Sequence, residues 1–472
     1  MQNSEPAWRH VDAKAQPAID LSDRVWGMPE LAYAEHRSAA EHTAYLHAEG
    51  FRVTEHLAGI PTAMLGEAGE GGPVIAILGE FDALPGLSNE AGATTHSPVA
   101  GDGNGHACGH NLLGAASLLA ATAVKDYLAA HGLKGRVRYY GCPAEEGGAA
   151  KGFMARAGLF DDVDIAISWH PSAFAGVNEP LSLANTRIDF SFHGRASHAA
   201  AAPHLGRSAL DAVELMSVGV NYLREHIPAE SRIHYAYLDA GGVAPNVVQA
   251  RAKVRYLIRA GDVKDLAELV TRVRAVAEGA ALMTGTRVET QVISAVSNLL
   301  GNTPLERLMQ ENLDRLGPPP FDAADMAAAA AFQATLSEQD IASAFRKVGL
   351  PVNATPLATS IVPLDSKRAP MIGSTDVGDV SWVVPTVQAR GATHAIGTQL
   401  HSWQATAQGK LPHAHKGMVH VAKVMAGTAV DALLKPEVIA AARADHAARA
   451  GGAYVCPLPA DAVPPIGMSL VG

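Results

Sequence analysis

Three short apolar runs, 74–79 (VIAILG), 137–142 (VRYYGC) and 163–169 (VDIAISW), constrain this chain most, because helical patterning is interleaved with them. Strands that alternate with helices form a parallel sheet covered by those helices. Between the first two runs, LLGAASLLAATAVKDYLAAHG reads as a long helix, N-capped by Asn111 and ended by Gly132. From about 187 the rhythm changes to strand 188–193, helix 208–226, strands 233–239 and 247–258, helix 263–281 and strand 286–294. That βαββαβ order is a ferredoxin-like unit inserted into a larger domain. The expected fold is α/β, a mostly parallel sheet built from residues 1–186 and 298–472, with the inserted unit at 187–297.

A chain of 472 residues is too long for one core, which agrees with two domains. Hydrophobic residues at 48% against 18% charged exclude a disordered protein. The net charge of −10 and the absence of any Lys/Arg block leave no electrostatic basis for binding nucleic acid or an anionic membrane. Small molecules are the expected partners. Cys108, Cys142 and Cys456 are too few and too scattered for a disulfide framework, so a reducing compartment is expected. The amino terminus lacks the apolar core of a secretion signal, and no run approaches the ~18 apolar residues of a membrane span. The expected location is cytoplasmic.

In open parallel sheets, ligands bind beyond the carboxyl ends of the strands. Here the three runs lead into Glu80-Phe81-Asp82, Pro143-Ala144-Glu145-Glu146 and His170-Pro171. Between the first two lies GNGHACGHNLLG, with His106, Cys108 and His110 at alternate positions. Imidazole and thiolate at this spacing suit a borderline-soft divalent cation, although the segment alone also reads as a Gly-rich turn. Glu145, Glu146 and His170 tip the balance towards metal. The adjacent glutamates divide the labour: one ligates while its neighbour takes a proton from the attacking water and returns it to a leaving amine. GxSxG, GxxxxGK[ST] and the PCxxC partner of a deaminase are all missing.

GEFDALPG at 79–86, GHACGHNLLG at 105–114, the Glu145-Glu146 pair, WHP at 169–171, SHAAAAPHLGRSALDAVELM at 197–216, GGVAPNVV at 241–248 and LHSW at 400–403 occur in that order. Together they resemble the dinuclear-metal aminoacylase/carboxypeptidase-type metallopeptidases and amidohydrolases. The nearest branch holds hippurate hydrolase, the auxin-conjugate amidohydrolases and the p-aminobenzoyl-glutamate hydrolase subunits. The resemblance implies a metallopeptidase catalytic domain with an inserted lid and dimerisation domain. It also implies two divalent metal ions per subunit, Zn²⁺ or Mn²⁺. Their ligands would be Cys108, His110, Glu146, His170 and His401, with Glu145 as general base.

In a remote branch of the resembling family a ligand histidine stands where this chain has Glu80, and the resemblance implies that His110 takes over that role here. Asp82 and His106 are expected to support ligands rather than bind metal. From the residues alone His394, His413, His415 and His420 compete with His401, and only the LHS context of the resemblance selects it.

In the inserted unit, His198, Asn246 and Arg259 are loop or strand-end residues able to reach a cleft. The resemblance gives His198 and Asn246 a part in binding substrate and polarising the scissile carbonyl from the opposite subunit. Arg259 offers a fork for a substrate carboxylate. The implied activity is metal-dependent hydrolysis of N-acyl amino acids or small dipeptide-like substrates, with p-aminobenzoyl-glutamate as one type. A homodimer is expected, and a heterodimer with a paralogue is the other arrangement. The competing reading is a non-catalytic or co-catalytic subunit of a heteromeric amidohydrolase.

Overall fold

The computed structural model describes residues 4–101, 103–366 and 373–467. Helices α1 (Ser4–Trp26) and α2 (His36–Ala48) precede strands β1 (Arg52–Glu55), β2 (Met64–Glu70) and β3 (Val74–Gly79). Next come α3 (His110–His131), β4 (Gly135–Gly141), α4 (Ala150–Arg156), β5 (Ile165–Ser172) and β6 (Gly176–Val177). The inserted unit comprises β7 (Ala184–His193), α5 (Ala209–Leu223), β8 (Arg232–Asp239), β9 (Arg251–Ala260), α6 (Val263–Thr284) and β10 (Arg287–Val296). Then follow α7 (Thr303–Leu316), α8 (Ala323–Gln333), α9 (Glu338–Val348), α10 (Val377–Val383), β11 (Thr386–Ala392), α11 (Trp403–Gln408), α12 (Pro412–Leu434) and α13 (Pro436–Ala450).

Seven strands form one sheet in the order β1-β2-β4-β3-β5-β11-β6. The central four, β4, β3, β5 and β11, run parallel, while β1, β2 and β6 pair antiparallel at its flanks. All six residues of β3 are buried. Ile75 and Ile77 pack with α1, α3 and α12 on one face, and Val74, Ala76 and Leu78 with Phe153, Met154 and Val380 on the other. Burial on both faces is why this strand reads as an unbroken apolar run rather than an alternating one.

The smaller sheet has the order β10-β7-β9-β8, the strand arrangement of a ferredoxin-like fold. Ile188, Phe190 and Phe192 alternate along β7 and meet Val213, Leu269 and Val273 of α5 and α6 in a core of their own. The third strand of this unit starts at Arg251, later than the expected 247, so Asn246 lies in the preceding loop.

Two expectations need correction. Helices α3 and α12 are long and apolar enough, by length and composition, to cross a membrane. In this fold 83% and 78% of their apolar windows are buried inside the protein, as core helices against the large sheet. The second concerns the start of α3. Gly109, not Asn111, precedes the helix; its φ of +72° is left-handed, and a Cβ there would approach Pro171 Cγ to 3.0 Å. Asn111 lies inside the first turn and donates to Ser22 Oγ (3.0 Å) and the Gly409 carbonyl (3.2 Å), tying α3 to α1 and to the α11–α12 turn. Gly132 does end the helix, at φ +59°.

Candidate metal centre

Four parallel strands deliver polar side chains to one end of the large sheet. Beyond β3 come Glu80 and Asp82, beyond β4 come Glu145 and Glu146, β5 carries His170, and the chain after β11 returns as His401. His110 opens α3, so that helix aims its first turn at the same place. Asp82 binds this region together: Oδ1 lies 2.9 Å from His110 Nδ1, and Oδ2 accepts from the Glu146 backbone N–H at 2.9 Å. The first contact keeps a proton on His110 Nδ1 and leaves Nε2 as the nitrogen a cation can take.

The glutamate loop is held just as firmly from behind. Buried Glu35 accepts from the backbone N–H groups of Tyr33 and Ala144, both at 2.9 Å, and Tyr33 Oη donates to the Gly148 carbonyl at 2.8 Å. Ala144 takes a left-handed φ of +58°, a strained conformation for a residue with a Cβ, and the Glu35 contact sustains it. Only glycine fits at 148, where a Cβ would fall 2.2 Å from the Tyr33 ring.

Three donor groups converge closely enough to share cations: Cys108, His110 and His170; Cys108, Glu146 and His401; and Glu80, His110 and Glu145. Two donors ~2.1 Å from one tetrahedral cation stand ~3.4 Å apart. Here Cys108 Sγ lies 3.4 Å from His170 Nε2, Glu146 Oε1 3.2 Å from His401 Nε2, and Glu80 Oε2 3.4 Å from His110 Nε2. Glu80 Oε2 and His110 Nε2 are buried with no hydrogen bond. Buried polar atoms of this kind are costly unless something else satisfies them, and divalent cations fit.

Charge within the cluster agrees. Burial, then the charges of Glu80, Glu146 and Asp376, raise Glu145 well above the usual carboxylate range. Burial and then Glu146 do the same to the Cys108 thiol. His110 loses from burial, but the Cys108 and Asp82 charges outweigh that and raise it well above an ordinary imidazole. Burial also opposes the Glu146 carboxylate, yet the His401 and His110 rings hold it below its usual value. The cluster is an excess of acids, and a cation beside Cys108 would turn its thiol into a thiolate ligand.

Of the sequence-derived residues, Cys108, His110, Glu145, Glu146, His170 and His401 come together. The rival histidines have other partners: His413 faces Gln408, His415 faces Asp23, and His420 faces the Gly317 carbonyl. His394 lines the cavity but lies beside Thr393. His106 turns away, with Nε2 3.1 Å from the Val25 carbonyl.

The centre opens into a cavity of about 670 Å³ that also takes in Arg187 and Arg259 from the inserted unit and Lys347 and Arg390 from the main domain. His198 and Asn246 are not among its lining residues. Both are exposed; His198 Nδ1 accepts from the Ala200 and Ala201 N–H groups, and the Asn246 carbonyl accepts from Ala199.

Sequence reasoning missed Lys151 of α4, whose Nζ lies 2.6 Å from both Glu80 Oε1 and Asp376 Oδ1 with all three side chains buried. A lysine within the apolar stretch AAKGFMA was the available signal.

A parallel sheet whose strand ends bring thiol, imidazole and carboxylate to one cavity places the chain among metal-dependent hydrolases. Residues 76–403 match Peptidase family M20/M25/M40, and the chain belongs to that family as a metal-dependent amidohydrolase or peptidase. It is 44% identical to one of the p-aminobenzoyl-glutamate hydrolase subunits of Escherichia coli (strain K12), over 96% of this chain and 97% of that protein. It is 29% identical to the Xaa-Arg dipeptidase of Mus musculus, over 93% and 90% of the two chains. Its fold is shared with two solved structures. One is an aminobenzoyl-glutamate utilization protein from Klebsiella pneumoniae, with TM-score 0.60 and 17% identity over 91% of this chain and 99% of that one. The other is a dinuclear metal binding M20 peptidase from Bacillus subtilis, with TM-score 0.57 and 19% identity over 90% and 99%.

Proposed function

We propose that the chain hydrolyses the amide bond between an acyl group, aromatic by preference, and an amino acid bearing a free carboxylate, the p-aminobenzoyl-glutamate type among them. The observation that carries this reading is Arg259. Its guanidinium lines the same cavity as Glu145, Glu146, His170 and His401, its Nε is buried without a hydrogen bond, and burial lowers its pKa. A cation desolvated without an acid beside it is a receptor for an anion brought by the substrate. Arg390 on β11 and Lys347 on α9 line the cavity from the main domain, so a second carboxylate also finds positive charge.

Cys108, His110, Glu146, His170 and His401 would hold two divalent ions, with thiolate and imidazole suiting Zn²⁺ and the carboxylate also suiting Mn²⁺. When bound, such ions lower the pKa of water from about 15.7 towards 7 and polarise a carbonyl oxygen. Glu145 takes the proton of the attacking water and delivers it to the leaving amine. Asp82 keeps the His110 ring in the tautomer a ligand needs. Arg259 holds the carboxylate so that the scissile carbonyl faces Glu145.

The inserted unit is proposed to pair two copies. Among the described residues β8 ends the small sheet, and Tyr235, Tyr237 and Leu238 on it are exposed. An open strand edge with apolar side chains is suited to pairing with another chain. Such pairing brings His198 and Asn246 of the partner subunit to a cavity their own subunit does not offer them. Free cysteines suit a cytoplasmic setting for the assembly.

The naming of one relative as a subunit supports a second reading, a co-catalytic or supporting chain in a heteromer. The test is a panel of N-acyl amino acids, with their carboxyamides, offered to metal-reconstituted protein. Carboxylate substrates should be cleaved at least ~10-fold faster in kcat/KM. Equal cleavage of both forms refutes the clamp, and purified protein that neither binds metal nor turns over supports the second reading.

A further inference from the structure

We propose that Glu80 is an additional metal-binding side chain, presented to the cation at His110 by a buried clamp made of Lys151 and Asp376. The inference rests on the metal-centre reading above and extends it to a residue outside the expected ligand set.

Glu80 follows β3 and is 2% exposed. Its two oxygens have different surroundings. Oε1 accepts from Lys151 Nζ at 2.6 Å, while Oε2 makes no hydrogen bond and stands 3.4 Å from His110 Nε2, which is equally without one. His110 Nδ1 is already committed to Asp82, so Nε2 is the nitrogen left to face Glu80. Two such atoms at this separation need a proton or a cation between them, and ~3.4 Å is also the spacing of two ligands on one tetrahedral ion, which takes the proton's place. The third member of the group, Glu145, has an oxygen within 4.8 Å of both.

Lys151 explains why Glu80 holds this pose. Its ammonium is fully buried and shared with Asp376, whose Oδ2 also accepts from the Lys151 backbone N–H at 3.1 Å. Asp376 neutralises the ammonium from the far side, so Lys151 orients Glu80 without cancelling the negative charge of the cluster. Three carboxylates, Glu80, Glu145 and Asp376, surround a single lysine, and the imbalance is what a divalent ion corrects. Lys151 acts through Glu80 and is a positioning residue.

The test is metal binding. Chelator-stripped full-length protein is titrated with Zn²⁺ against a chromophoric chelator, bound metal is counted by elemental analysis, and the visible spectrum of the Co²⁺ form is recorded. Wild type should bind two ions. Glu80→Gln keeps a partner for Lys151 but removes the charged donor. It should weaken one of the two ions at least ~10-fold and change the cobalt bands, while the other ion stays near wild type. Two ions at wild-type affinity with unchanged bands overturn the assignment of Glu80 and leave the metal centre standing. A wild type that binds no metal overturns both. If the glutamine variant does not fold, Glu80→Asp keeps the charge and withdraws the oxygen by one methylene. The same loss is expected there, and wild-type affinity refutes the proposal.

Discussion

Arg259→Met should have opposite effects on function and on fold, and the two signs together test the clamp. The substitution keeps most of the stem's length and removes the guanidinium. A hydrogen-bonded contact between charged groups is worth about 1.5–3 kcal/mol, so kcat/KM for a carboxylate substrate should fall by about 10- to 150-fold. For the corresponding carboxyamide, which gives the guanidinium no charge to meet, the loss should be at most about twofold. Arg259 has no ion pair among the described residues, and burial alone accounts for its lowered pKa. Replacing it therefore removes a desolvated charge rather than a stabilising bond. Because the group is only partly withdrawn from water, the gain in stability should be small, on the order of 1 kcal/mol or less. The assays are steady-state kinetics on the matched substrate pair and chemical denaturation of the metal-free protein. An equal loss on both substrates, or a clear drop in stability, would show that Arg259 supports structure and not the substrate.

Glu145→Gln should lower turnover by at least ~10²–10⁴ while metal content stays near wild type; near-normal turnover would remove Glu145 as the proton carrier. Because burial raises the Cys108 thiol well above its ordinary value, it holds a proton at pH 7 that a cation must displace. Zn²⁺ binding should therefore release at least about one proton and tighten as pH rises, with Cys108→Ala releasing about one fewer. Calorimetry in buffers of different ionisation enthalpy measures this, and unchanged release in Cys108→Ala would take Cys108 out of coordination. Mixing inactive Glu145→Gln with inactive His198→Ala should restore about a quarter of wild-type activity through mixed dimers. No recovery after proven subunit exchange would place His198 in the site of its own chain.

The sequence disclosed the parts of the molecule whose physics is local. The run 74–79 coincides with β3 because every side chain in it is buried. The unit from β7 to β10 was legible because its strands alternate, as with Ile188, Phe190 and Phe192, and its helices have plain ends, as with Asp262 capping α6 and Gly285 closing it. The short flanking strands β1 and β6 left no readable pattern, since strands of four and two residues are too brief to show a period. At the centre, Glu145, Glu146, Cys108 and His110 were legible from spacing. Lys151 was not, because its partners Glu80 and Asp376 lie far away in the chain and a lone lysine in a helix reads as surface. The exposed positions of His198 and Asn246 could not be read either, since patterning places a loop residue without saying which cavity it faces.

The centre is assembled from residues scattered between positions 80 and 401, and the His401 backbone N–H closes it by donating to the Ala107 carbonyl at 3.0 Å. A ribosome must therefore deliver most of the chain before the last donor exists. Until then an α3 rich in Leu and Ala packs on α1 but lacks α12, and the face that α12 covers waits as an exposed apolar surface. Non-local topology of this kind slows folding and gives aggregation its opening. A truncation before residue 386 would lack β11, α12 and His401 together, so it should behave as an insoluble fragment rather than as an enzyme with one ligand missing.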